Sequence, residues 1–321
     1  MTNKKDVIII ARVNQKTTAN KNIPAEVKEK RKMKKLITLI ATAILALGCV
    51  FGLTACGSND LVVYTESGFA PFEYVKENEI VGVDVDIMQK VAKNLGKNLK
   101  FEDVKFDTIV DAVSAGKLVN VGAAGLSITE ARKAKVDFSI PYYTANLYVI
   151  YPAAKAAEFE SVTNDNGKVG VYWEAFAGKK IGVQNGTTSD LFLGDEIAEG
   201  GVLGGQNTEK EGYDTYITAL SDIGLNIAAL MMDEIPAQTL IANNPNFKCA
   251  PLYYQGDHAS SDASAQKDEV ACDEYAIAVT KGQTELLKAI NEVLTELINN
   301  VDEKGNNGIQ QLLMKHLGIN E

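Results

Sequence analysis

The chain has 321 residues, a formal charge of −10 at pH 7 and 46% apolar residues, enough for two medium lobes that each bury a core. The charge is uneven: residues 1–55 carry eleven Lys/Arg against three Asp/Glu, so the chain from Cys56 onward holds 21 against 39, about −18. A body this acidic repels phosphate backbones, which excludes nucleic acid as a partner.

Residues 17–35 are polar and basic without a persistent apolar face, and the run VIIIA at 7–11 has no nearby strand to pair with. Residues 1–32 are therefore expected to be an extension upstream of the true start, Met33. From there MKKLITLIATAILALGCVFGLTAC reads as a leader, residues 33–55, with a basic start and an apolar stretch of nearly membrane-spanning length. Its ending, Leu53-Thr54-Ala55-Cys56-Gly57, resembles a bacterial lipobox. That resemblance implies a lipid on Cys56, an extracytoplasmic location and a membrane partner through the lipid. Two acyl chains suffice for durable anchoring.

After a polar link, LVVYT is a strand, followed by SGFAPFEY and a turn at residues 77–79. VGVDVDIMQKVAKNLG predicts an extended lead-in and then an amphipathic helix, with Ile87, Val91 and Leu95 on one face and Gly96 as terminator. LKFEDV, TIVDAVSAG and VNVGAAG continue as strand, helix and strand, the alternation of an open α/β lobe. FSIPYYTANLYVIYP is a long extended run that leaves this lobe. KKIGVQ, TTSDLFLGDEIAEG, ITALSDIGLN and IAALMMD then restart the alternation as strand, helix, helix and strand, and EYAIAV leads back. TELLKAINEVLTELINN and GIQQLLMKHLG are amphipathic helices that need a surface to cover, and lobe one supplies it. The expected division is lobe one at 61–147 and 279–321 and lobe two at 151–275, with a hinged cleft between them.

Of four cysteines, Cys49 falls in the leader and Cys56 is the lipid candidate. Outside the cytoplasm the remaining pair, Cys249 and Cys272, is expected to form a disulfide closing the polar loop GDHASSDASAQKDE. The two histidines, His258 and His316, read as surface residues, and no cluster has metal-ligand spacing, so neither metal nor cofactor is expected.

GLSITEAR, residues 125–132, combines a glycine, hydroxyls and a guanidinium at a helix start. Gly125 permits close backbone approach, Thr129 is a plausible N-cap, and Arg132 then sits in the first turn, where it opposes the helix dipole unless an anion is present. Ser127, the local amides and Arg132 would clasp a carboxylate, although spacing alone is equally compatible with a solvated arginine in ARKAK. Across the expected cleft, GVQNGTTSD places Gly186, Thr187 and Thr188 at a strand-to-helix junction, and LMMDEIPAQ places Asp233 at the end of an apolar strand. Asp233 is either a helix cap or an anionic group facing the cleft. A zwitterion would satisfy both half-sites. Phe69 and Phe106 are candidate walls, whereas Phe72 beside Pro71 is assigned to the core.

GFAPFEY, VGVDVD, GLSITEAR with VDFSIPYY, KKIGVQNGTT and MMDEIPA, in this order, resemble the amino-acid-binding type II extracellular solute-binding proteins of ABC importers. The resemblance implies a two-lobe α/β periplasmic-binding-protein fold with two crossing strands, a free amino acid as ligand, an ABC transporter permease as partner and no catalysis; a monomer is expected. It implies Arg132 and Ser127 on the ligand carboxylate near Gly125, Thr188 helping beside Thr187, Asp233 on the ammonium, and Phe69 and Phe106 as walls. Three departures, at Asn226 with Ala228-Ala229, in the long segment after Tyr151 and in the loop between the cysteines, obscure the side chain accepted. The rival readings are a dehydratase-like enzyme using Glu73, Glu130 or Glu174 as an acid, and a sensory ectodomain.

Overall fold

A computed structural model of the protein describes residues 59–163, 169–256 and 267–319. Residues 1–32, the expected leader at 33–55, Cys56 and His258 lie outside the described residues. Among the described residues, no helix is long and apolar enough to cross a membrane.

Lobe one opens with β1 (Asp60–Thr65) and a small antiparallel sheet of β2 (Gly68–Phe69), β3 (Glu73–Lys76) and β4 (Glu79–Val81). It continues through α1 (Val83–Leu95), β5 (Asn98–Asp103), α2 (Phe106–Ala115), β6 (Val121–Gly122), the single turn α3 (Glu130–Lys133) and β7 (Asp137–Phe138). Lobe two begins with β8 (Tyr143–Pro152), β9 (Val162–Thr163), β10 (Val169–Tyr172), β11 (Lys180–Gln184), α4 (Thr188–Ile197) and β12 (Glu209–Tyr213). It is completed by α5 (Tyr216–Asp222), β13 (Ala229–Asp233), α6 (Glu234–Ile241), β14 (Phe247–Tyr254), β15 (Glu269–Val270) and β16 (Cys272–Tyr275). The chain returns to lobe one as β17 (Ala278–Val279), α7 (Thr284–Asn299) and α8 (Gly308–Leu317).

The lobe-one sheet has the order β5-β1-β6-β17-β7, parallel through β5, β1 and β6 and antiparallel at β17. The lobe-two sheet runs β12-β11-β13-β8-β14-β10-β9, with β15 added to β14 and β16 to β8. In both lobes the parallel strands are joined by crossover helices, which brings the carboxyl ends of the strands to one edge, where ligands bind in open α/β sheets.

Helix α1 starts at once after Gly82, so the expected extended lead-in is only Val81, where β4 ends, and Gly82. A Cβ on Gly82 would lie 2.0 Å from the Phe72 carbonyl oxygen, which admits only glycine at this tight entry. Asp84 and Asp86 then fall in the first turn, where the helix dipole favours acidic groups. Ala289, Ile290, Val293, Leu294 and Leu297 of α7, with Ile309 and Leu313 of α8, join the core formed by β1 and by Ile87, Met88 and Val91 of α1. The terminal helices thus cover lobe one, as their apolar stripes require. His316 of α8, expected at the surface, has a side chain only 7% exposed and lies 2.9 Å from Asp86 Oδ2.

The crossings are residues 139–142 and 276–277, because β7 and β17 belong to the lobe-one sheet while β8 and β16 belong to the other. The first crossing precedes the expected boundary at 147. Uniform β-type composition in this run hides the change of sheet, which falls at Pro141, a residue with no N–H for a ladder. The crossings are bonded together: Ser139 N donates to Ile277 O and Tyr142 N to Tyr275 O, each at 2.9 Å.

The expected disulfide is overturned: Cys249 and Cys272 are free thiols. Cys249 pairs with Ile150 and Cys272 with Asn146 on the same strand β8, a four-residue offset of roughly 13 Å. A disulfide tolerates Cα separations only up to ~7 Å. Burial also pushes the Cys249 thiol up to about 11, while Cys272 is exposed. Peptide-level alkylation of the unreduced native protein should therefore modify Cys272 quickly and Cys249 slowly, with no linked peptide detected.

Candidate functional site

The strand ends meet at a cleft lined by Glu66, Phe69, Phe106, Gly125 and Ser127 from lobe one and by Gln184, Thr187, Thr188, Tyr216 and Asp233 from lobe two. The cleft is closed. Phe69 stacks on Tyr216 across it, with ring centroids 5.7 Å apart, and Ser127 Oγ lies 3.2 Å from Thr188 Oγ1. At the rim, Lys105 Nζ meets Asp214 at 2.7 Å, but both side chains are more than half exposed, so this pair adds little.

Thr129 is the N-cap of α3 and accepts from the Arg132 amide at 3.2 Å. Arg132 is 7% exposed, which removes the solvated reading. Its Nη1 donates to Ser127 O at 2.6 Å and its Nη2 to Gly186 O at 2.8 Å, so one guanidinium touches both lobes. The group also lies 5.6 Å from the Phe106 ring centroid. Burial lowers its pKa, and Asp273 and then Asp233 oppose that shift. Two of its five donors serve the protein, and the fork retains others for an anion.

Two glycines let the backbones approach. Gly125 has φ 54°, and a Cβ there would lie 2.9 Å from the Phe69 ring; Gly186 has φ 76°, and its Cβ would meet the Asp107 Cβ at 2.9 Å. Thr187 caps α4 by accepting from the Asp190 amide, and its hydroxyl donates to Gln184 O at 2.8 Å.

Asp233 occupies the N-cap position of α6 but makes no capping bond with its side chain. Instead its Oδ2 accepts from Tyr275 Oη at 2.5 Å, while the buried Oδ1 has no partner. Burial, and then the like charge of Asp273, holds its pKa well above the ordinary carboxylate range. The choice between cap and cleft is decided for the cleft.

Sequence reasoning missed Asp273, Tyr216 and Tyr275, and gave Glu66 no role. Glu66 follows β1 directly, as Asp233 ends β13, and the same strand-end rule would have found it. It is 8% exposed; burial raises its pKa, partly offset by Gln184 from the other lobe. Asp273 shares a face of β16 with Tyr275, two residues on. Its carboxylate lies against Thr188 and Ser127, whose hydroxyls soften its burial, yet neither oxygen has a hydrogen bond of ordinary geometry. No local pattern marks Asp273, because only the register of β16 on β8 aims it inward.

The acids weighed for an enzyme do not face the cavity. Glu130 is exposed and pairs with Lys133 at 2.9 Å, Glu174 is exposed, and Glu73 is buried beneath the site without a hydrogen-bond partner. Among the described residues no group of His, Cys, Asp and Glu could hold a metal ion.

A two-lobe cleft lined this way matches a known family: residues 61–304 fit the family model for bacterial extracellular solute-binding proteins, family 3. The chain belongs to this family. It is 28% identical over 267 residues to the putative ABC transporter arginine-binding protein 2 of Escherichia coli K12, covering 83% of this chain and 93% of that protein. It is 25% identical over 266 residues to the E. coli K12 histidine-binding periplasmic protein, covering 83% and 92%. Among solved structures, an amino acid ABC transporter substrate-binding protein from Streptococcus pneumoniae bound to L-arginine superposes with a TM-score of 0.64 at 26% identity, covering 81% of this chain and 95% of that one. This solute-binding protein is thus an extracytoplasmic, non-catalytic component of an amino-acid ABC importer, with a free amino acid as ligand and a permease as partner.

Glu66, Asp233 and Asp273, with Glu73 and Asp84 behind them, all have raised pKa values because of burial, Asp84 to about 6. The folded protein then binds more protons than the unfolded chain between the unfolded carboxylate values near 4 and these raised ones, so stability falls as pH rises through that window. Calorimetric scans of the ligand-free protein should give a Tm roughly 5 °C higher at pH 5.5 than at pH 7.5.

Proposed function

We propose that this solute-binding protein is a lipoprotein, tethered through Cys56, that captures an L-amino acid with a cationic side chain and presents the closed form to its permease. The observation that carries the side-chain class is the charge around the cleft: Asp273 and Asp233 both act on the single guanidinium of Arg132, and a third buried carboxylate, Glu66, lines the same cleft. A neutral zwitterion would leave that negative excess in place. A side chain bearing a positive charge reduces it, and buried charges need such partners.

In this reading the ligand carboxylate takes the free donors of Arg132 with Ser127, Thr188 and Thr187, near the Gly125 turn. The α-ammonium meets the unpartnered Oδ1 of Asp233. Phe69, Tyr216 and Phe106 enclose the aliphatic stem, and Glu66 beside Gln184 receives the terminal cation. Ligand landing on the open lobe holding Arg132 favours closure, because the lobe-two groups gain partners only in the closed state. Closure also excludes water, which strengthens each charge-assisted contact. The arginine- and histidine-binding relatives, and the L-arginine-bound structural neighbour, support a cationic ligand.

Calorimetry with arginine, lysine, ornithine, histidine, glutamine, leucine and glutamate tests the ligand class: a cationic amino acid should bind tightest, and tighter binding of a neutral or acidic one overturns the reading. Arg132→Ala should weaken binding by at least about 100-fold, since it strips a buried carboxylate of its partner. Glu66→Gln should cut the preference for cationic over neutral ligands by roughly 10-fold or more while preserving binding of neutral ones. For the anchor, Cys56→Ser should move the protein from the membrane fraction to the soluble fraction of the producing cells.

A further inference from the structure

We infer that Asp84 is a positioning residue that ties the hinge to the ligand cradle, one carboxylate oxygen holding each. This rests on the amino-acid-binding reading of the cleft and adds a residue that touches no ligand. Asp84 sits in the first turn of α1, is completely buried and does not cap its own helix. Its Oδ2 accepts from the Gly125 amide at 3.0 Å. Its Oδ1 accepts from the Tyr142 hydroxyl at 2.6 Å.

Each bond has a structural consequence. Gly125 lines the cleft in a left-handed turn pressed against Phe69, so its hydrogen bond to Asp84 fixes the orientation of the Ala124–Gly125 peptide, two residues before Ser127. Tyr142 is the last residue of the first crossing, immediately before β8 begins. Its amide donates to Tyr275 O at 2.9 Å in the second chain segment, and the Tyr275 hydroxyl donates to Asp233. Gly125, Asp84, Tyr142, Tyr275 and Asp233 therefore form one hydrogen-bonded chain, from the lobe-one half of the site, through the crossing, to the lobe-two half.

Burying a carboxylate is unfavourable, and a packing role would be met more cheaply by an apolar side chain. An acceptor with two fixed oxygens is what this junction uses. With the Tyr142 phenol pinned to lobe one, the first crossing moves with that lobe, and the bend on opening falls between Tyr142 and β8. Releasing the phenol would loosen both the crossing and the Gly125 turn, because the two share the Asp84 carboxylate.

The test uses full-length protein, with Tyr142→Phe removing only the hinge bond and Asp84→Asn removing the charge while keeping the shape. Two readouts are taken: hydrogen exchange of the Gly125 amide in ligand-free protein, and stopped-flow closure with L-arginine. Tyr142→Phe should speed Gly125 exchange by about 10-fold and slow closure by a similar factor, the effect of one hydrogen bond, with far-ultraviolet dichroism unchanged. In the double variant the two substitutions should fall short of additivity, as members of one network do. Wild-type Gly125 exchange in Tyr142→Phe, or strictly additive effects of the two substitutions on that exchange, would overturn the inference. The exchange arm needs no ligand, so failure of wild-type protein to bind arginine would count against the proposed ligand class and leave this test intact.

Discussion

The cleft depends on one buried guanidinium. Arg132 reaches carbonyl oxygens on both lobes, lies over an aromatic ring and supplies positive charge to a region crowded with carboxylates. Without it, Asp233 and Asp273 would face each other in a desolvated space with nothing to offset their repulsion. With it, the closed arrangement is still short of positive charge, and that shortage is the ground for the cationic ligand proposed above.

The fold serves this electrostatic arrangement by geometry. Parallel strands joined by crossover helices deliver their ends to a common edge, which is why Glu66, Gly125, Gln184 and Asp233, far apart in the chain, line one void. Glycines at 125 and 186 bring the two backbones close enough for an arginine side chain to span them. The crossings bond to each other, so the hinge is a short paired segment, and the half-sites it joins keep a fixed relation when shut.

Much of the site was legible locally. Thr129 as a cap, Arg132 in the first turn, and the Thr187–Thr188 junction follow from helix-start chemistry that depends on a few neighbouring residues. The covering role of α7 and α8 followed from their apolar stripes. Less was legible where one pattern suits two structures: VGVDVD alternates like a strand yet forms a helix, because Gly82 permits the turn and acidic residues suit a helix start. The strands β12 and β14 escaped notice because Lys, Glu and Pro interrupt them, and only their neighbours in the sheet hold them extended.

The sequence by itself determined most element types, the two-lobe order and the hydroxyls and guanidinium offered at the two helix starts, since these rest on periodicity, capping and strand-end chemistry within short stretches. Only the tertiary structure decided that Arg132 is buried, that Asp233 points to the cleft and does not cap its helix, that Cys249 and Cys272 stand too far apart to bond, and that Glu66 and Asp273 join the site. Each of these depends on strand register and lobe closure, which set distances between residues remote in the chain, and no local spacing encodes such distances.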